Sequence, residues 1–336
     1  MSETYSIGVD LGGTNLRIAS YVDGIEFLEI IRIQTDLAEG RDQVVRNMCE
    51  AISGLAAREY GGRPLAGICI GTPGPLELPD GVLRNPPNLP GWDGFNLRAA
   101  VESTLGQQVE IESDANLAAL AEQKLGAGRT LGIDSLCVLT LGTGVGSGLI
   151  LNGQIWHGAT GMGGEAGHVI VQDDGGAPCG CGGYGCLEQY ASATAVMRMA
   201  RELTETSPVR TSHDLAVLAR SGDAMAIHVF QRVGHSLAIA LAGLINTLNL
   251  PLYLLGGGVC EAWDLFAPTM FRELHSRSYV YRLTKPEVLE PVIVEPQRTY
   301  ILGAQLGTSA GLLGACLLPL QKRQIHGRNG TLQKLL

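Results

Sequence analysis

The sequence predicts an α/β protein of two domains that arose by internal duplication. Its 336 residues, 45% of them hydrophobic, are enough for a core larger than that of one typical domain. Two glycine-rich segments, residues 5–33 and residues 135–157, have the same order of features about one domain length apart. Helical stretches and short apolar strands fill the rest of the chain.

Each of these two segments is predicted to be a β-meander of three strands. The first is YSIGVDLGGTNLRIASYVDGIEFLEIIRI and the second is SLCVLTLGTGVGSGLILNGQIWH. In each, a glycine-rich turn follows the first apolar run, and Asp23-Gly24 or Asn152-Gly153 follows the second. Such dipeptides between apolar runs are hairpin signals. The matched order favours duplication over a chance likeness of two hairpins.

Helices and buried strands are predicted between and after the meanders. Ser113 suits an N-cap, and Asp114 lies in the first turn of its helix, where the helix dipole stabilises negative charge. The last helix carries small residues four positions apart, which permits close packing on a core. In chain order we expect a helix at Asp42–Tyr60, a strand at Leu65–Ile70, a loop at Gly71–Gly94, a strand at Val109–Glu112, a helix from Ser113 to about Leu125, a long helix at Asp223–Asn249, a strand at residues 252–259, and a helix near Ile301–Leu318 with Gly303, Gly307, Gly311 and Ala315 on one face.

Charge and hydropathy exclude several classes of partner. The net charge is −9, and only the short stretch Gln321–Arg328 is locally basic, so nucleic acid is not expected to bind. The N-terminus lacks the basic and apolar regions of a signal peptide. The most apolar stretches, residues 236–259 and 301–320, are interrupted by polar residues or glycines, so they are expected to be buried and not membrane spans. We therefore expect a cytoplasmic protein without a membrane partner.

Three glycine-rich turns are candidates for holding phosphate. The chain lacks the P-loop pattern, and GTGVGSG joins two strands, which excludes a Rossmann site. Hairpin turns and helix N-termini instead offer backbone N–H groups to phosphate oxygens. Three such turns at strand ends indicate a nucleotide site. The turns are DLGGTN, LGTGVG and LGGGV, and the candidates are Asp10 (to orient a hydrated Mg2+), Gly12, Gly13, Thr14, Asn15, Gly142, Thr143, Gly144, Gly257 and Gly258.

A candidate metal site lies in the second half of the chain. Cys179, Cys181 and Cys186 lie within GGAPCGCGGYGCLEQY, and His168 lies shortly upstream. Three thiolates and one imidazole are typical of structural zinc. The C-x-C spacing is tighter than usual, however, and a disulfide is the alternative, which the cytoplasm disfavours. Ligand type alone also admits a softer ion such as Cu(I).

Seven segments together carry a resemblance to a known family. They are DLGGTNLRIA, GTPGPL, NPPNLPGW, SDANLAALAE, TLGTGVGSGLILNGQIWHGATGMGGEAGHV, CGCGGYGCLEQYAS and LGGGV, and they extend over nearly the whole chain. The sequence resembles the ROK family of repressors and sugar kinases, within the actin/hexokinase-like (ribonuclease H-like) superfamily. The resemblance implies a duplicated two-domain fold with a central cleft. Its expected parts are a small α/β domain at 1–118, a larger α/β domain at 119–300 with a zinc loop at 168–186, a helix at about 301–318 that packs back on the first domain, and a C-terminal tail at 319–336.

The resemblance also implies an ATP- and Mg2+-dependent hexose kinase. ROK repressors carry a DNA-binding domain before the first glycine motif, which here begins about five residues from the start. We therefore expect the kinase branch, and within it a glucokinase-like homodimer or homotetramer that makes glucose 6-phosphate. The alternatives are a kinase for fructose, mannose, allose or N-acetylglucosamine, a non-catalytic sugar sensor, and an enzyme that uses polyphosphate as phosphoryl donor.

Asp114 is the predicted general base. A sugar kinase needs a carboxylate to accept the hydroxyl proton, while positioning and charge stabilisation lower most of the barrier. Asp114 matches the aspartate of the family's Asn-Asp-Ala-Asn motif, but Ser113 replaces the asparagine that contacts the sugar, which leaves the preferred hexose open. The family pattern also implies that Cys179, Cys181, Cys186 and His168 bind zinc, with the second ring nitrogen of His168 facing the sugar. The sugar contacts that the resemblance implies are Asn88, Ser113, Asp114, Glu165, His168 and Glu188.

Overall fold

The computed structural model describes residues 3–24, 27–203, 209–289, 294–295 and 297–332, with side chains up to residue 323. The side chains of residues 324–328, in the basic stretch Gln321–Arg328, and residues 333–336 of the predicted tail therefore lie outside the described part of the chain. The strands are β1 Tyr5–Leu11, β2 Asn15–Val22, β3 Phe27–Gln34, β4 Leu65–Thr72, β5 Leu76–Glu77, β6 Val82–Leu83, β7 Glu110–Ser113, β8 Leu136–Leu141, β9 Val145–Leu151, β10 Gln154–Ile155, β11 Leu252–Gly256 and β12 Tyr300–Gly303. The α-helices are α1 Arg41–Ala56, α2 Leu97–Leu105, α3 Asp114–Lys124, α4 Ala127–Leu131, α5 Glu188–Ala191, α6 Ala193–Leu203, α7 Ser212–Arg220, α8 Ala224–Leu248, α9 Trp263–Arg277, α10 Tyr279–Thr284 and α11 Ala310–Leu332.

Ten of the twelve strands in the described part of the chain form two five-stranded sheets with matching topology, and β5 pairs with β6 in a separate two-stranded sheet. The strand orders of the two five-stranded sheets are β3-β2-β1-β4-β7 and β10-β9-β8-β11-β12. In each sheet the first strand of a meander pairs antiparallel with the next strand and parallel with a later one. The meanders predicted at residues 5–33 and 135–157 are therefore confirmed, and the duplication appears in the strand order.

The chain folds into two compact units. The first contains residues 1–121, 154–163 and 308–336, and the second contains residues 122–153 and 164–307. Residues 154–163 thus belong with the first unit and not with the larger domain in which they were expected. Local contacts give the reason, because the Leu78 N–H donates to the Thr160 carbonyl over 3.0 Å and holds this segment beside β5.

The core of the first unit lies on both faces of its sheet. Strand β1 is buried along almost its whole length, and α1 and α11 both pack on it. This explains its nearly continuous apolar sequence, because a strand covered on both faces has no solvent side. The edge strand β3 instead alternates between half-buried and exposed residues.

The core of the second unit is dominated by the long helix α8. The Asp223 side chain accepts from the Ala226 N–H over 2.8 Å at its start, and Asn249 ends it in the left-handed conformation with φ of 47°. These are the two boundary residues that the sequence predicted. Among the described residues, none of the helices has both the length and the apolar character that a membrane crossing needs.

The bounds predicted for the last helix, near Ile301–Leu318, are wrong at both ends. Residues 300–303 form β12, which pairs parallel with β11, and the helix extends from Ala310 through Pro319 to Leu332. A short apolar run such as Tyr-Ile-Leu fits a buried strand or a helix equally well, so pairing with β11 decided its conformation. Gly303 and Gly307 therefore lie before α11, and residues 319–332 belong to the helix and not to a tail.

Small residues still allow α11 to approach its sheet closely. A Cβ atom added to Gly8 on β1 would lie 2.5 Å from the Cys316 sulfur, and one on Gly314 would lie 1.9 Å from the Leu117 carbonyl oxygen. Both distances are far below van der Waals contact, so only glycine fits at these positions. The helix therefore lies against β1 and α3 of its own unit.

Candidate active site

The first predicted phosphate turn joins β1 to β2 in the first unit. The Gly12 N–H donates to the Asn15 carbonyl over 3.0 Å and closes the turn. A Cβ atom added to Gly13 would lie 2.6 Å from the carbonyl oxygen of Asn88. The structure therefore brings the predicted phosphate turn against the loop that carries a predicted sugar contact, while Thr14 and Asn15 stay exposed.

Asp10 is paired with a cation that the sequence analysis missed. Its carboxylate accepts hydrogen bonds from Nε of Arg17, at 2.9 Å, and from Nη2 of the same residue. The two residues are direct partners in the β1–β2 ladder, and both side chains are at least three-quarters buried. The hairpin register was the available signal, since cross-strand partners on one face are neighbours.

Asp114 begins α3 directly after β7 ends at Ser113. The Asp114 carboxylate accepts from the Ala115 N–H over 2.7 Å, as expected for an acidic residue at a helix start. A Cβ atom added to Gly311 at the start of α11 would lie 3.8 Å from Oδ1 of Asp10 and 3.8 Å from the Asp114 carbonyl. The first unit therefore gathers Asp10 and Asp114 around the start of α11.

A buried carboxylate next to Ser113 was not identified from the sequence. Oε1 of Glu112 accepts from the Ser113 N–H over 2.9 Å and from the Asn116 amide over 3.0 Å, and its side chain is 4% exposed. Oε2 lies 2.6 Å from Nε2 of His157. This hydrogen bond raises the pKa of His157, although burial of the ring opposes it. Glu112 thus ties the end of β7 to the first turn of α3, on either side of Asp114.

The second predicted phosphate turn joins β8 to β9 in the second unit. It is closed by a hydrogen bond from the Gly142 N–H to the Gly144 carbonyl over 2.9 Å. Oε2 of Glu188 accepts from the Val145 N–H over 3.0 Å, and Thr194 donates its hydroxyl proton to the Thr143 carbonyl over 2.8 Å. The predicted sugar contact Glu188 therefore also supports the predicted phosphate turn.

The third predicted turn lies beside the second. Gly257 follows β11 with φ of 91°, a conformation that favours glycine. A Cβ atom at this position would lie 2.4 Å from the Leu141 carbonyl, at the end of β8. Gly258 then starts a short 3-10 helix that leads into α9. The two glycine loops of the second unit are therefore neighbours at adjacent strand ends.

Glu165 precedes the short 3-10 helix Ala166–His168, which packs on β9 and ends at His168. The Ser147 hydroxyl accepts from the Ala166 N–H over 2.9 Å and donates to the Gly164 carbonyl. Although Glu165 is an exposed residue, desolvation of its carboxyl group raises its pKa. The nearby His168 lowers this pKa, and Glu188 raises it further. A raised pKa at a carboxyl beside a second carboxylate is typical of a site built to bind polar ligands.

The cysteine cluster assembles as the sequence predicted, with one donor atom each from His168, Cys179, Cys181 and Cys186 within 4.8 Å of one another. In a tetrahedral zinc site, sulfur atoms lie about 3.8 Å apart, and a sulfur and a nitrogen about 3.5 Å apart. The Cys181 and Cys186 sulfurs are 3.7 Å apart, and Nδ1 of His168 lies 3.6 Å from the Cys179 sulfur. The residues therefore fit a closed four-ligand metal site, and Nδ1 is the ring nitrogen that faces it.

Comparison with known families agrees with this geometry. The family model described as ROK family matches residues 6–322, which include every predicted site residue. The chain belongs to the ROK family. Glucokinase from Halalkalibacterium halodurans is 35% identical over 345 residues, covering 98% of this ROK chain and all of that protein.

Two solved structures extend the likeness to the fold. The ROK hexokinase from Thermus thermophilus is 33% identical and superimposes with a TM-score of 0.78, covering 96% of this chain and 99% of that one. A ROK family glucokinase from Streptomyces griseus, solved in complex with glucose and AMPPNP, is 30% identical with a TM-score of 0.73, covering 94% and 99%. The ROK chain therefore has the actin/hexokinase-like two-domain fold that the sequence predicted.

Proposed function

We propose that this protein phosphorylates a hexose with ATP, and that its hexose is D-glucose, converted to glucose 6-phosphate. The support is the full set of predicted site residues in a chain that shares 35% identity with a protein named glucokinase. A related structure at 30% identity was solved with glucose and AMPPNP, which supports the same pair of ligands here.

We assign the chemical step to Asp114. The hexose hydroxyl forms a bond to the γ-phosphorus as the bond from that phosphorus to the β,γ-bridging oxygen breaks and ADP leaves. The Asp114 carboxylate accepts the hydroxyl proton. Glu112 accepts from the backbone N–H of Ser113, before Asp114, and from the side-chain amide of Asn116, after it, and so holds the residues on both sides of Asp114. Positioning of this kind supplies much of the barrier reduction in phosphoryl transfer.

We assign the remaining residues to binding. Five polar residues would pair with sugar hydroxyls: Asn88, Ser113, Glu165, His168 and Glu188. A site built in this way rejects analogues that lack a hydroxyl, because its own polar groups would be left unpaired. Asp10, with Arg17 beside it, would hold Mg2+ through water. The N–H groups of the glycine turns would face the phosphates. These turns contain Gly12, Gly13, Thr14, Asn15, Gly142, Thr143, Gly144, Gly257 and Gly258.

We further propose that the four-ligand cluster holds zinc. The closed set of His168, Cys179, Cys181 and Cys186 leaves no open position, so the ion would supply rigidity and no reaction step. Nδ1 of His168 faces the cluster, which leaves Nε2 for a sugar hydroxyl. The loop of residues 179–186 leads directly into α5, where Glu188 lies.

The substitution Asp114→Asn tests this proposal. We expect kcat to fall at least about 100-fold, because loss of a general base removes that much or more, while glucose still binds in calorimetry. The control is Asp42→Asn, which changes an exposed acidic residue in the first turn of α1 and should leave kcat unchanged. ADP release would be measured with glucose, fructose, mannose, allose and N-acetylglucosamine, and with ATP or polyphosphate as donor.

The possible outcomes separate the alternatives. Turnover with another hexose only would replace glucose in the proposal, and turnover only with polyphosphate would replace ATP. Sugar binding without any turnover by the unmodified protein would favour a sugar sensor. Substantial turnover by Asp114→Asn would show that Asp114 is an ordinary residue of a helix start.

A further inference from the structure

A cavity in the second unit is lined in part by the residues that directly precede the cysteine cluster. Its volume is about 660 Å³, and its wall comes from residues 175–178 and from α5, α6 and α8. Small-molecule sites in proteins have volumes of about 300–1,000 Å³. None of the residues predicted to bind sugar, phosphate or metal lines this cavity.

Two arginines that line this cavity both lie near one aromatic ring. The guanidinium carbon of Arg232 lies 5.1 Å from the ring centre of Tyr190, and that of Arg198 lies 6.0 Å from the same centre. Both positive charges therefore lie near the same aromatic side chain in the cavity wall. A cavity lined by two guanidinium groups is suited to a ligand that carries negative charge.

The arginines are only partly satisfied by the protein. Arg198 donates to Glu202 and to the Gln189 carbonyl, but its Nε is buried and has no partner among the described residues. Arg232 donates to the neutral amide oxygen of Gln172 over 2.8 Å. In the part of the chain that the structure describes, Arg232 has no ion pair with a carboxylate. Glu202 also lines the cavity and pairs with Arg198, so the uncompensated positive charge of the wall is that of Arg232.

From these contacts we propose that the cavity binds a small phosphate monoester. A phosphate group carries more than one negative charge and several acceptor oxygens, so it matches two guanidinium groups better than a single carboxylate does. The volume exceeds the need of a bare phosphate ion, and the buried side chains of Met199 and Val229 offer an apolar surface to the organic part. His228, exposed at the rim, adds a further donor.

The occupant would contact elements that also carry the predicted zinc and sugar residues. The Tyr190 hydroxyl accepts from the Ala177 N–H over 2.9 Å, two residues before Cys179. Tyr190 also lies on α5, two residues after Glu188. A bound phosphate monoester is therefore expected to change the KM for glucose. This regulatory part rests on the proposed function, whereas binding itself does not.

Calorimetry on the full chain tests the binding. The probes are glycerol 3-phosphate, inorganic phosphate and glucose 6-phosphate, with glycerol as the uncharged control. We expect the esters to bind more tightly than inorganic phosphate, and Arg232→Gln to weaken ester binding at least about tenfold, because it removes a charge-assisted hydrogen bond. Arg201→Gln is the matched control, because Arg201 is exposed on α6 and does not line the cavity.

Further variants keep the test decisive. Arg232→Lys retains the charge and should restore part of the affinity, which a folding defect in Arg232→Gln would not explain. Equal binding by Arg232→Gln and the unmodified protein would overturn the proposal, as would the absence of saturable binding. Binding of glucose 6-phosphate that glucose displaces and Arg232→Gln leaves intact would belong to the proposed sugar site. It would also overturn the proposal.

Discussion

The two hairpin turns of the duplicated sheets occupy the same position in the strand order, but their closing hydrogen bonds and their supports differ. The turn between β1 and β2 packs on the Asn88 backbone, and the nearby Asp10 is paired with Arg17 of the same hairpin. The turn between β8 and β9 is held from outside, by Glu188 of α5 and by the hydroxyl of Thr194 on α6. Duplication therefore kept the hairpin and replaced the groups around it.

The difference shows which contacts of a site can be predicted from nearby sequence and which depend on distant parts of the chain. Asp10 and Arg17 are seven residues apart, so hairpin register alone pairs them. Val145 and Glu188 are 43 residues apart, and their contact depends on the loop that carries the cysteines. The second support is therefore expected to depend on the metal cluster, whereas the first is not.

Metal removal should produce the largest difference between the two turns. Zinc content would be measured first, and the metal would then be chelated. We expect amide hydrogen exchange in residues 142–147 to rise about tenfold or more, because Glu188 follows the loop that the metal holds. Residues 12–17 should change little. The same result is expected for Cys181→Ser, with Cys49→Ala as a control outside the cluster. Equal acceleration in both turns would contradict a separate support.

Alanine at the two turn glycines should separate stability from activity. In Gly13→Ala the new Cβ meets a backbone oxygen at 2.6 Å, which cannot move away easily, and we expect a loss of about 2 kcal/mol in the free energy of unfolding. In Gly144→Ala the new Cβ meets the carboxylate of Glu188 at 2.3 Å, and that side chain can rotate. We expect Gly144→Ala to lose less than about 1 kcal/mol in the free energy of unfolding, but its kcat/KM should fall more than that of Gly13→Ala. Urea unfolding and ADP-release kinetics of both variants check this, and the reverse order of stabilities would contradict it.

The smallest expected effect concerns pH and the first unit alone. The hydrogen bond that Glu112 accepts from Nε2 of His157 raises the pKa of His157, so the folded protein favours protonated His157. The stabilisation is complete below the ordinary histidine pKa of about 6.5 and is lost as pH rises through the higher value of the folded state. His157→Gln should therefore destabilise the protein more at about pH 6 than at about pH 9. Water screens the partly exposed ring, which keeps the effect small.

Urea unfolding at both pH values measures this difference. His213→Gln is the control, because His213 is exposed and pairs with the exposed Glu261. If His157→Gln destabilised the protein equally at both pH values, the contact with Glu112 would stabilise the fold whether or not the His157 ring is protonated.

The local elements of the fold were predictable because their signals are local. Glycine-rich turns between apolar runs marked both meanders, and Asp223 and Asn249 marked the ends of α8. The cysteine cluster was also predictable, since Cys179, Cys181 and Cys186 are close in the chain and His168 is near. The short strand β12 was not, because its three apolar residues have no period that separates strand from helix.

The sequence by itself determined the family and the duplicated meanders. It also indicated four candidate metal ligands, and its resemblance to the ROK family indicated Asp114 as the catalytic candidate. Residue type and spacing carry this information, because turns, caps and thiolate ligands act over a few residues. Only the tertiary structure decided that Glu112 contacts His157 over 45 residues of sequence, and that Arg198 and Arg232 both lie near the ring of Tyr190. Such contacts follow from the packing of separate elements, and packing depends on the whole chain.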